Sequence, residues 1–157
     1  MASNSVSVVA LDQPPRAKSS NYPEPFASLM LKRIKRPLGD LFGLTNFGVN
    51  LTVLQPGGAS SLRHWHSKQD EFVYVVSGQA TLHTDEGATE MGGGACAGFK
   101  AGNGNAHRLE NRSGSPVVYL EIGDRTADDQ VTYPDDDLAI EAIGSKRRLI
   151  HKSGEPY

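Results

Sequence analysis

The chain of 157 residues has a single cysteine, Cys96. One thiol excludes an internal disulfide framework and suits a reducing compartment, so the expected location is cytoplasmic. Long apolar runs are also missing: none approaches the roughly 18 residues needed to span a bilayer as a helix, which predicts no membrane partner. Met1 to Ala10 has neither a basic start nor an apolar segment, so no secretory signal is expected. The sequons at Asn50 and Asn111 are then read as accidental. Charge of one sign is not in excess either. Lys+Arg is 16 against Asp+Glu 18, with a net charge of −2 and a pI near 6.2. That balance excludes the basic profile of a dedicated nucleic-acid binder. No internal repeat is visible.

What is present is a spread of 17 glycines and 9 prolines. It fits many short elements joined by turns better than long helices. Residues 1–28 are polar and carry Pro14, Pro15, Pro23 and Pro25, which reads as an extended N-terminal arm. The basic patch Leu31 to Arg36 reads as a solvated strand or loop. From Phe47 to Val53 apolar residues alternate, which is a strand pattern, and Gln55 to Gly58 ends it. Further strands are expected at 71–76, 79–84, 89–91, 95–99, 107–111 and 116–122, with turns at Ser77-Gly78 and Asp85-Glu86-Gly87. Strands at this spacing predict an all-β sandwich or closed barrel. Residues 124–157 form a C-terminal extension with acidic and basic blocks, which read as solvated surface. Asp137 to Ile143 is expected to be a brief helix ended by Gly144.

The stretch Gly58 to Gly78 carries the chemistry. His64 and His66 are two apart, so on a strand both imidazoles project to one face, with Trp65 on the other. Glu71 opens the next strand after a short polar turn and can face the same interior. His107 begins a later strand after a glycine-rich turn, and a closing sheet could bring it opposite His64 and His66. Imidazole and carboxylate donors suit a divalent transition metal such as Zn, Ni, Mn or Fe, or Cu, rather than a thiolate cluster. The alternative is that these groups only hydrogen-bond in a polar interior.

Gly58, His64, His66, Glu71 and Gly78 occupy every named position of the pattern G-x5-H-x-H-x4-E-x6-G, and on these residues the chain resembles the cupin superfamily. The family's second pattern, G-x5-P-x-G-x2-H-x3-N, is met by Gly94, Gly102, His107 and Asn111. It departs in two places: Lys100 stands at the proline, and four residues separate Gly102 from His107. The resemblance covers roughly residues 40–123. It implies a jelly-roll β-barrel (a double-stranded β-helix) over 29–123, with the arm before it and the extension packed on it. It also implies one metal ion held by His64, His66, Glu71 and His107. The layout further resembles bacterial cupins named as sugar-phosphate isomerases. Homodimerisation is expected, because cupins of this layout commonly pair through sheet edges and the arm could add a strand to a neighbour.

Three functional readings follow. The first is a metal-dependent enzyme acting on a small oxygenated metabolite in the barrel, in an isomerase-like reaction. The second is an Fe- or Cu-dependent dioxygenase, and the third a non-catalytic binder of a small ligand. An isomerase needs a general base, and no interior candidate is evident, since Asp70 and Glu110 are out of phase with the ligands. A phosphate would want an interior cation, yet Arg63 and Arg108 are out of phase too. Other features have plainer readings. The Gly92–Gly94 and Gly102–Gly104 clusters are turns. Cys96 is a buried, inert thiol, and His83 is an ordinary strand residue. His151 is exposed, while Trp65 and Tyr74 pack between sheets or at a dimer interface.

Overall fold

The computed structural model describes residues 6–143 and 146–157. Its strands in chain order are β1 (Arg33–Pro37), β2 (Phe47–Leu54), β3 (Trp65–His66), β4 (Glu71–Ser77), β5 (Gln79–Thr84) and β6 (Gly87–Gly92). They continue with β7 (Cys96–Phe99), β8 (Arg108–Glu110), β9 (Val117–Asp124), β10 (Val131–Thr132), β11 (Ala139–Ile143) and β12 (Lys146–Ile150). Helix is confined to single turns, such as Phe26–Leu29 and Leu38–Leu41. None of the described helices is long and apolar enough to cross a membrane.

A five-stranded sheet, β1-β2-β9-β4-β7, faces a three-stranded sheet, β6-β5-β8, to make the jelly roll. Period-two alternation decides what fills the space between them. Leu54, Val73, Val75, Val117 and Tyr119 come from the larger sheet, and Ala80, Leu82, Met91 and Leu109 close the core from the smaller sheet. Burying each such aliphatic side chain stabilises the fold by about 1.5–3 kcal/mol. A second core, Leu62, Tyr133 and Leu138, is covered by Tyr22, Phe26, Ile140 and Leu149. The arm and the extension therefore share one apolar cluster. The arm also runs beside its own β1: the Arg16 amide donates to Lys35 O at 2.8 Å.

Three expectations are corrected. Residues 139–143 form strand β11, paired with β12, and not a helix. Ile140 and Leu149 pack into the second core while Glu141 pairs outward with Arg148, so alternation across a hairpin outweighs helix propensity. Gly144, the expected helix end, lies outside the described residues. Cys96 is exposed rather than buried. On edge strand β7 the residues Ala95, Ala97 and Phe99 turn inward, which puts Cys96 on the outer face. The basic patch is not simply solvated, because β1 presents Arg33 and Lys35 to the barrel cavity.

Two motif residues outside the histidine cluster are structural. Asn111 is 1% exposed and donates from Nδ2 to Leu54 O and Ser115 O, both at 2.8 Å, clamping the turn before β9. Gly78 has φ +83, and a Cβ there would sit 2.6 Å from Pro116 O. Both the left-handed backbone and the clash oppose any side chain. Gly78→Ala is expected to lower stability by at least about 2 kcal/mol, read as a reduced denaturant midpoint with an unchanged slope.

Candidate metal centre

His64 and His107 face one another as an antiparallel pair: the His64 amide donates to His107 O at 3.1 Å and the His107 amide to His64 O at 2.9 Å. His66 pairs with Val131 of β10, and Glu71 begins β4. The barrel mouth thus brings together all the residues singled out by spacing. One donor atom each from His64, His66 and Glu71 lie within 4.8 Å of one another. Glu71 Oε2 stands 3.4 Å from His64 Nε2, 3.5 Å from His66 Nε2 and 2.9 Å from His107 Nε2.

The outer nitrogens fix what the inner ones can do. His64 Nδ1 donates to the Leu62 carbonyl at 2.9 Å, and a carbonyl can only accept. His66 Nδ1 donates to Asp129 Oδ2 at 2.6 Å. When these rings are neutral, each Nε2 therefore carries a lone pair aimed toward Glu71 Oε2, itself an acceptor. Glu71 Oε2 and His107 Nδ1 are buried and, among the described residues, make no well-formed hydrogen bond. The lone pairs of His64 and His66 converging on a carboxylate oxygen call for a cation there, either a metal ion or a proton on an imidazole. Donors about 2.1 Å from one ion would lie about 3.0 Å apart at right angles and about 3.4 Å apart at tetrahedral angles, which matches the separations from Glu71 Oε2 to the three imidazoles. The donor set fits a divalent transition metal.

The electrostatics agree. Burial disfavours a charged Glu71, yet His107 and His64 outweigh it and hold the carboxyl far below its usual range. Burial lowers the basicity of His107, keeping it neutral. Burial also works against charge on His64, but Glu71 outweighs it and raises the imidazole. A proton on His64 is thus the alternative to a metal for the same lone pair. Phe99 stacks on His107 with ring centroids 3.5 Å apart and 4° between planes, which fixes that ring.

Asp129 is the residue that spacing did not reveal. It is 4% exposed and sits in the acidic block read as solvated surface. Besides His66 it accepts from the Lys68 amide at 2.8 Å and the Gln69 amide at 3.1 Å, tying the turn that leads into Glu71. Burial opposes its charge, but these hydrogen bonds win and lower its pKa. The other candidates lie elsewhere. His83 bonds Glu110 at 2.9 Å, Asp70 accepts from the Ala101 amide at 2.8 Å, and Arg63 bridges Asp135 and Asp85. His151 is half-buried rather than exposed, paired with Asp137 and stacked on Tyr157.

The cluster opens on a cavity of about 210 Å³ whose wall includes Tyr22, Arg33, Lys35, Glu121 and Tyr133. Lys35 pairs with Glu121, which also accepts from Asn50 Nδ2 at 3.1 Å. An interior cation and an interior carboxylate are therefore present, against the expectation that neither exists. The alternation of Arg33 with Lys35 was visible, but which face of β1 turns inward is set by its pairing with β2.

A cupin domain model matches residues 50–123. The chain is 40% identical to a sugar phosphate isomerase from a cupin superfamily of Silicibacter pomeroyi DSS-3, whose crystal structure superposes with a TM-score of 0.88 over 96% of both chains. A candidate sugar phosphate isomerase from Acidithiobacillus ferrooxidans ATCC 23270 is 30% identical, with a TM-score of 0.71 over 80% of each chain. The polyketide cyclase RemF from Streptomyces resistomycificus, at 21% identity and a TM-score of 0.61 over 75% of this chain and 78% of its own, shares the fold. No curated protein matches the chain. The chain belongs to the cupin superfamily.

Metal retention should follow this geometry. His64→Ala/His107→Ala is expected to lose bound Mn, Fe, Ni or Zn, while His83→Ala and His151→Ala keep it. Asp129→Asn should weaken affinity about 10–100-fold through His66. Protons and metal compete for neutral imidazoles, so occupancy should fall as pH drops below about 6. Elemental analysis of untagged protein dialysed across a pH series checks each outcome.

Proposed function

We propose that this cupin is a metal-dependent enzyme that isomerises a small oxygenated, anionic metabolite of the sugar-phosphate class. The observation that carries the reading is the set of acceptors at Glu71 opening onto a cavity that also holds Arg33, Lys35 and Glu121. His64, His66, Glu71 and His107 would hold one divalent transition metal, of which Mn, Fe, Ni and Zn all accept such donors. When bound, that ion supplies Lewis-acid polarisation of a substrate oxygen. The names of the relatives at 40% and 30% identity point to the same class.

The chain's own residues divide the remaining work. Arg33 and Lys35 place positive charge in the cavity wall, which draws in an anionic substrate and orients it. Glu121 is the carboxylate outside the ligand set that faces the cavity, and it takes the proton that an aldose–ketose interconversion must move. Lys35, paired to Glu121, holds it in place. Burial raises the Tyr133 phenol far above its ordinary value, so its O–H stays protonated and can donate to a substrate hydroxyl. The buried side chains of Tyr119 and Val73 wall the cavity and keep water from the reacting end.

The test is solvent-deuterium incorporation into aldose and ketose phosphates of five and six carbons, followed by NMR with metal-loaded protein. Exchange at the carbon next to the carbonyl is expected, and Glu121→Gln should slow it at least about 100-fold with metal content unchanged. Absence of exchange with every metal and sugar phosphate would reject the reading. Homodimerisation is a companion proposal. Phe72, Tyr74 and Val76 form an exposed alternate stripe on the outer face of β4, a surface suited to a second copy. Light scattering at tens of micromolar should give twice the chain mass.

A further inference from the structure

Beyond the metal cavity lies a wider cleft of about 1130 Å³ that shares Tyr22, Arg33 and Tyr133 with it. Its walls carry Arg16 and Lys18 from the N-terminal arm and Arg147 and Arg148 from β12. Among the described residues that line it there is no Asp or Glu side chain. This is a local concentration of one sign on a chain whose net charge is −2. Some of these cations are engaged: Arg148 pairs with Glu141, and Arg147 donates to Asp129 O at 2.7 Å. Arg33 donates to the Ser60 and Ser19 carbonyls, while its Nε is buried and unpartnered. The side chains of Arg16 and Lys18 have no hydrogen-bond or ion-pair partner among the described residues. Free cations held together in a concavity repel one another unless an anion joins them.

We propose that this outer cleft is the phosphate site of the substrate, with the phosphate on Arg16 and Lys18 and the reacting end directed past Tyr22 and Tyr133 to the metal cavity. As an assignment of the substrate's phosphate it rests on the function proposed above. As an anion site it stands on the cleft's own charge and shape. Two features give it chemical sense. A phosphate carries about −1.5 to −2 charge and three acceptor oxygens, which guanidinium and ammonium groups match. Arg16 and Lys18 are exposed, so a dianion on them keeps part of its hydration while only the sugar end enters the smaller cavity. The site requires both termini of the chain. The arm supplies Arg16 and Lys18, the C-terminal hairpin faces them, and the shared core of Leu62, Tyr133 and Leu138 holds the two together.

Inorganic phosphate titrated into the full chain by calorimetry tests the site, with protein as purified and after treatment with a chelator. The variant is Arg16→Glu/Lys18→Glu, whose side chains take no part in the metal cluster. Saturable binding is expected in both wild-type preparations. The variant should weaken it at least tenfold and flatten its salt dependence, with unchanged circular dichroism and metal content. The conservative Arg16→Lys/Lys18→Arg should retain most of the affinity. The proposal is overturned if wild type binds no phosphate, or if the variant binds as well as wild type. It is also overturned if chelation alone abolishes binding, which would place the anion on the metal. Failure of the functional reading shows separately, as wild-type protein that takes up no metal or exchanges no deuterium while phosphate binding persists.

Discussion

One carboxylate oxygen, Glu71 Oε2, is buried against the Nε2 atoms of His64, His66 and His107. Placing an ionised carboxylate away from water costs several kcal/mol unless a cation answers it. Most of the mouth of this barrel is organised to meet that requirement. The Leu62 carbonyl and Asp129 take the outer protons of two imidazoles, so their inner lone pairs point at the carboxylate. Phe99 clamps the third ring. The turn into Glu71 is tied down by the same Asp129 that orients His66, so one side chain sets both a ligand and the strand that delivers its partner.

The inward face of the large sheet changes character along its length. At one end Leu54, Val75 and Val117 are fully buried and pack the core. At the other, Glu121 and Glu71 look into the cavity, and on edge strand β1 Arg33 and Lys35 do so from beside the apolar rows. The apolar end provides rigidity and low dielectric, which strengthen every charge interaction at the polar end. A jelly roll can support both because alternation fixes which residues face inward without fixing their polarity. The relatives at 40% and 30% identity place this arrangement within the cupin superfamily.

The segments outside the matched cupin region, residues 50–123, are not passive. The arm contributes Tyr22 and the extension Tyr133 to a second core beside the cavity, and the extension's Asp129 holds His66. They also carry much of the positive charge of the outer cleft. The barrel thus provides the histidine and glutamate cluster, and the arm and extension wall the cavity beside it.

The sequence by itself determined the strand pattern from Phe47 to Ile122 and the set His64, His66, Glu71 and His107. Both rest on local rules: period two puts i and i+2 on one face, and donor type limits the ion. Gly78 was legible as a turn residue and Asn111 as a position of the family's second pattern, whereas the clamp that Asn111 makes is seen only in the fold. Tertiary structure alone decided the rest. Whether Arg33 and Lys35 face inward depends on the pairing of β1 with β2, and whether Glu121 meets Lys35 depends on β9 lying on the other side of β2. Asp129 reaches His66 across more than sixty residues of chain (|i−j|=63), and Tyr133 reaches the cavity only because β10 pairs with β3. Residues 139–143 look helical as a segment and become a strand when β12 offers a partner. Contacts between distant segments leave no periodic trace in either, so charge blocks that read as solvated surface became a ligand support and the wall of a cleft.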